Sequence, residues 1–217
     1  MHINVKIDFK VNKVVKFFVL ADLLLMSGWG LIGPIFSIYI IEKIAGATLL
    51  TVGVGTVIYW TVRSVLQLPV ANYLDKKMGE ADDLRVLIAG LFLASISALL
   101  FIFVNTSWQL YSVQILQAIA FSLYAPAWSA IFSRHLDRDR ISFDWSLDTV
   151  ALGLMAGISG FLGAWVAGYS FATLFIFTSL FTAAAAFVLL IVPDLVLPRK
   201  TIQDPTIKDH APMNIGH

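Results

Sequence analysis

Long apolar runs and short polar breaks alternate along the chain, six times over. The runs cover about residues 17–41, 47–73, 86–104, 108–132, 145–169 and 171–192. A helix rises about 1.5 Å per residue, so about 20 apolar residues cross the hydrocarbon of a bilayer. Each run reaches that length or nearly so. Lipid offers the backbone no hydrogen-bond partner, which leaves helices as the economical reading. The pattern therefore predicts an all-α membrane protein with six transmembrane helices. The breaks at 42–46, 105–107 and Ser170 are very short, so runs one and two, three and four, and five and six pair as tight antiparallel hairpins.

Composition removes the main alternatives. Of 217 residues, 59% are hydrophobic and 13% charged, and the mean hydropathy is +0.83. A soluble domain is about 25% charged, so this chain has too little polar surface for a water-soluble enzyme, and disorder needs the reverse composition. The first run is too long for a signal-peptide core and holds Asp22, with no small-residue cleavage site after it, so it is expected in the mature protein. Basic and acidic residues number 15 and 14 and nearly cancel, which gives no reason to expect a nucleic-acid partner.

The placement of charge says more than its sum. Lys6, Lys10, Lys13 and Lys16 precede run one, Lys76, Lys77 and Arg85 follow run two, Arg134, Arg138 and Arg140 follow run four, and Arg199, Lys200 and Lys208 follow run six. All thirteen fall on one side; Lys43 stands alone opposite, and Arg63 lies inside run two. The positive-inside rule places both termini in the cytoplasm and the protein in the cytoplasmic membrane. The expected layout is a basic arm over 1–16, a six-helix domain over 17–192 and a disordered, proline-containing tail over 193–217. Cysteine is absent and the four histidines (His2, His135, His210, His217) lie outside the runs. Thiolate chemistry and a buried histidine metal site have no candidates, and no paired-carboxylate motif falls in the membrane. The reading is a non-enzyme with no metal and no cofactor.

Runs three and six hold no charge or amide and read as lipid-facing or peripheral, whereas the other four carry polar groups that hydrocarbon penalises. Run two sets Thr56, Tyr59, Arg63 and Gln67 on one face at helical spacing. A mid-helix arginine costs at least about 2.5 kcal/mol and needs a partner or water. Asp22, the acid inside run one, is the expected partner, because the two depths differ by roughly 8 Å at the helical rise and the side chain is long. Such a pair either binds solute or exchanges a proton, or else it is a fixed bridge between two helices. Run four aligns Gln114, Gln117, Phe121 and Tyr124, which form a wetted wall or bond between helices. Run five carries a small-residue seam of Gly153, Gly157, Gly160, Ala164 and Gly168, a packing device or a sliding surface. Asp148, near the start of run five, reads as a helix-end charge or a gating residue. In run one, Gly28, Gly30, Gly33 and Pro34 mark a bend, and Pro69 and Pro126 are further candidates.

After run two the chain reads Ala71, Asn72, Tyr73, Leu74, Asp75, Lys76, Lys77, Met78, Gly79. This resembles the cytoplasmic signature of the major facilitator superfamily, with Ala71 for the first glycine and one extra residue before Gly79. The resemblance implies a conformational latch at Asp75, Lys76, Lys77 and Gly79, to which Asp148 is added. Gln114, Gln117 and Ala118 stand where the family's fourth-helix motif has Arg, Gln and Gly, and Ile158 stands where antiporter members have proline. The family has twelve helices in two halves, and this chain is similar to the N-terminal half. The resemblance implies a half-size secondary transporter working by alternating access, as a homodimer or with a six-helix hetero-partner. Its expected partners are the lipid bilayer and a small solute, with Asp22, Tyr59, Arg63, Gln67, Gln114, Gln117 and Tyr124 on the solute or coupling path. The competing reading is a non-transporting scaffold or one subunit of a split transporter.

Overall fold

A computed structural model describes residues 12–76, 80–137 and 139–191 of the protein. The basic arm up to residue 11, Lys77, Gly79, Arg138 and the tail over 193–217 lie outside the described residues. The six runs appear as seven α-helices: α1 (Lys13–Ile32), α2 (Phe36–Lys43), α3 (Leu49–Lys76), α4 (Glu80–Leu100), α5 (Ser107–Arg134), α6 (Ile141–Ala167) and α7 (Phe171–Ile191), with no strand among the described residues. The extra helix arises because run one is interrupted by a 3-10 turn over Gly33–Ile35. Pro34 lacks a backbone donor, so the hydrogen-bond ladder breaks where the glycine–proline pair predicts a bend. Pro69 and Pro126, by contrast, lie inside continuous helices. Counting α1 and α2 as one span, six spans are long and apolar enough to cross a membrane.

Local chemistry sets the ends. The Asn12 side chain accepts from the Val14 amide at 3.1 Å and starts α1. Thr106 and Gln109 form a reciprocal capping box at the start of α5. Gly46, at φ +71°, turns the chain between α2 and α3 in a conformation that a side chain disfavours.

Around the molecule the long helices follow the order α3, α5, α4, α7, α1, α6, each packed on the next. The result is an open arc: α3 and α6 form its two ends without substantial packing between them, and α1 and α5 meet only sparsely across its inner side. Close approach of backbones builds the arc. A Cβ on Gly90 of α4 would lie 2.9 Å from the Ala120 carbonyl of α5, one on Gly28 of α1 2.9 Å from the Thr178 carbonyl of α7, and one on Gly163 of α6 would collide with the Leu31 carbonyl of α1. Hydroxyls fasten the same contacts: Thr178 donates to the Gly28 carbonyl at 2.9 Å and Ser95 to the Ser179 carbonyl at 3.0 Å. With no water to compete, such small-residue and hydroxyl contacts hold helices where apolar burial cannot.

Of three apolar cores, the two larger lie toward opposite ends, and a small one of Leu31, Ile35 and Leu174 joins the first and last spans. Phe18, Leu87, Ile131, Phe132 and Leu189 centre the one at the basic end, and Ile40, Phe101, Leu110 and Phe175 the one at the short-loop end. The basic end is also tied by Arg134, which donates to Asp83 at 2.6 Å, and by Asn12, which donates to the His135 carbonyl at 3.2 Å. The expectation that runs three and six are the peripheral ones needs correction for the single chain. Those spans (α4 and α7) bury 44% of their apolar windows, whereas α3 and α6 bury only 11% and 17%. Low polarity lets α4 and α7 sit in the body of the arc, and the more polar α3 and α6 are left at its open ends.

Candidate functional site

The inner side of the arc collects the polar groups of four helices around one ring. Phe121 of α5 receives the Trp29 ring of α1 edge-on at 5.4 Å, with Tyr59 of α3 at 6.5 Å and its own neighbour Tyr124 at 6.0 Å. The Arg63 guanidinium lies over this surface, 5.5 Å from the Phe121 centroid, 5.2 Å from Trp60 and 5.9 Å from Tyr59. Each ring face attracts a cation, and more so away from water. Arg63 also donates to the Tyr59 hydroxyl at 3.0 Å, one helical turn away, while its buried Nε has no acceptor.

The expected Asp22–Arg63 pair does not form. Among the described residues no ion pair joins them; the Asp22 carboxylate instead accepts the hydroxyl hydrogen of Tyr124 on α5. Asp22 is engaged by Tyr124 of α5 and Asp148 of α6, while Arg63 is held on the aromatic shelf of Tyr59, Trp60 and Phe121. Asp148 also moves from its expected place. Asp144, not Asp148, occupies the first turn of α6. Asp148 is buried one turn further in, its carboxyl adjoining that of Asp22, and one of its oxygens has no partner. Asp22, Tyr124 and Asp148 thus form one cluster contributed by α1, α5 and α6.

The glutamines divide. Gln117 faces the groove and, with Trp29, Ile32, Gly33 and Phe36, lines a pocket of about 160 Å³. Gln114 is buried against Gly55, where a Cβ would meet its Nε2 at 2.8 Å, so it is a contact between α3 and α5 and not part of a wetted wall. Gln67 is half-buried one turn from Arg63. At the basic end the groove narrows where Trp145 of α6 packs on Trp128 and Phe132 of α5 at 5.8 and 5.0 Å. A larger recess of about 470 Å³ lies at the short-loop end, near Glu42, Lys43, Asn105 and Ser170, away from these polar groups.

A family model described as Major Facilitator Superfamily matches residues 18–213, nearly the whole chain. The chain belongs to the Major Facilitator Superfamily. Its members are transporters, and the six apolar spans make this one an integral, multi-pass membrane protein. No curated protein and no solved structure matches it.

Within that family setting the remaining expected residues take definite positions. Asp75 and Lys76 are exposed at the end of α3 and make no ion pair among the described residues. A charge pair with a buried carboxylate does form at this end, Asp83–Arg134, which the signature does not include. Of the small-residue seam on α6, Gly160 alone touches the first span, its Cβ position 3.2 Å from Pro34 in the 3-10 turn and 3.8 Å from the Gly30 carbonyl of α1. Gly153, Gly157 and Ala164 are exposed and point away from α1, and Gly168 caps the helix. The close contact falls instead on Ser159 and Gly163, which meet Gly30 and Leu31. Trp29, Trp60 and Phe121 are site residues that sequence reasoning passed over or left as stripe members, since an aromatic side chain inside an apolar run carries no contrast. The i, i+4 spacing of Tyr59 and Arg63 was the one available signal for the shelf.

Proposed function

We propose that the protein is a secondary transporter in which two copies of the chain stand with their open grooves face to face in the cytoplasmic membrane. A small solute crosses between them by alternating access. The observation that carries this reading is the open arc: α3 and α5 leave Tyr59, Arg63, Gln117 and Tyr124 half-buried on a side that the chain itself does not close, with the buried Asp22 and Asp148 behind Tyr124. Hydrocarbon against these groups is costly, and a second copy with the same orientation removes that contact. The one-sided placement of thirteen basic residues gives both copies that orientation, with the basic end cytoplasmic.

A two-fold axis along the membrane normal brings α3 of one copy to α6 of its partner, twice. The exposed stripe of Gly153, Gly157 and Ala164 then lies in the contact and permits close approach. Asp75 and Lys76, exposed at the end of α3, take the latch role between the copies. Asp22, with Tyr124 and Asp148, is the coupling group, and Arg63 with Tyr59 and Gln117 forms the solute side.

The absence of cysteine makes the test direct. A Gly53→Cys, Ala164→Cys double variant, with both positions exposed on the two ends of the arc and about one turn from the short-loop end, is expected to give disulfide-linked dimers in membranes under mild oxidation. Leu180→Cys, exposed on the back of α7, is expected to give none. A strict monomer by native mass, or cross-linking at Leu180→Cys alone, overturns the shared groove.

A further inference from the structure

Three hydrogen-bond donors in the groove have no acceptor among the described residues. The Arg63 Nε and the Trp29 Nε1 are buried and unpartnered, and the Gln117 amide lines the 160 Å³ pocket without a hydrogen bond among the described residues. Leaving a buried donor unpaired is unfavourable, more so for a charged one, and ring faces around Arg63 satisfy its charge without occupying its N–H groups. Asp22 is taken by Tyr124 and does not neutralise Arg63.

We infer that Arg63 binds the anionic head of an organic anion, and that the apolar body of that solute rests in the pocket walled by Trp29, Ile32 and Phe36. The inference rests on reading the groove as the solute path and names what travels along it. Geometry links head to body. Gln117 and Phe121 are four residues apart on α5, so the pocket lies about 6 Å along the helix from the shelf that holds Arg63. Trp29 is common to both, forming one wall of the pocket and packing edge-on against Phe121. A cavity of about 150 Å³ lined by apolar side chains accommodates a benzene ring, so a single aromatic or branched aliphatic body fits. Planar guanidinium favours carboxylate, which it engages through two N–H groups at once. The acids Asp22 and Asp148 adjoin each other where α1 meets α5 and α6; a cationic solute would go there instead.

A series of probes with one body and three heads separates these cases: phenylacetate, 2-phenylethanol and 2-phenylethylamine, titrated calorimetrically into the purified full chain in detergent. Saturable binding of phenylacetate is expected, at least tenfold tighter than the alcohol, with no tighter binding of the amine. Arg63→Gln is expected to weaken phenylacetate at least tenfold, Arg63→Lys to keep part of the binding, and Trp29→Phe, which retains the ring and removes the N–H, to weaken it severalfold. Each variant must keep the parent's helical circular dichroism and elution volume, and Arg63→Lys serves where Arg63→Gln does not fold. Equal affinity for acid and alcohol, preference for the amine, or unchanged binding by folded Arg63→Gln overturns the inference. All the residues belong to one chain, so this result is read whether or not the copies cross-link.

Discussion

Tyr124 is the residue on which the inner cluster turns, because its hydroxyl reaches across from α5 to the Asp22 carboxylate of α1. Tyr124→Phe keeps the ring and removes the bond, leaving a buried carboxylate short of a donor. A loss of about 1–3 kcal/mol is expected, measured as a lower thermal unfolding midpoint in detergent, and Asp22→Asn in the same background should recover part of it. Arg134 poses the same question at the basic end. Its partner Asp83 is 1% exposed while Arg134 itself is 42% exposed, so Arg134→Gln should cost about 2 kcal/mol, less than the 3–5 kcal/mol of a fully buried pair. Restoration by Asp83→Asn would mark that cost as the stranded charge. Pairing is the feature least legible in the sequence at this scale. Depth along each helix placed Asp22 and Arg63 within reach, but the rotation of run one about its axis cannot be read from a segment apolar on nearly every side. Tyr124 was on the expected path; its partnership was not.

Among the elements, the contact of α1 with α6 depends on Gly163, whose Cβ position collides with the Leu31 carbonyl, and hardly at all on Gly157, around which nothing lies within 4 Å. Gly163→Ala is expected to cost about 1–3 kcal/mol by forcing backbones apart; Gly157→Ala should leave the unfolding midpoint of the isolated chain unchanged or slightly raised, since alanine favours the helix. The reverse order would mean that α6 packs through the other stripe. Helix lengths and the break at Gly33 were plain in the sequence, since hydrocarbon thickness and proline chemistry act locally. The packing face of α6 was not, because small residues occur on two sides of it, and a seam such as Gly153–Gly157–Gly160 marks where something can approach without saying what.

At the scale of the whole molecule, the charge asymmetry predicts which way the chain is threaded. In the otherwise cysteine-free protein, Asn105→Cys at the short-loop end should react with a membrane-impermeant maleimide added outside intact cells, and Ser133→Cys at the basic end only after permeabilisation. The opposite labelling would invert the orientation of the groove. The family and the six spans were legible from run lengths and from the signature after run two. The arc's open side was not, because the sequence shows which helices carry polar groups and gives no sign of which helix pairs are left apart.

The separation of the two larger apolar cores has a mechanical consequence. The layer between them is stitched by hydroxyls and glycines, and the first span passes through it with its ladder interrupted at Gly33–Ile35. Motion at one mouth therefore need not be transmitted as strain to the other: Phe18 and Leu87 can part company with their neighbours while Ile40 and Phe175 keep theirs, and the converse.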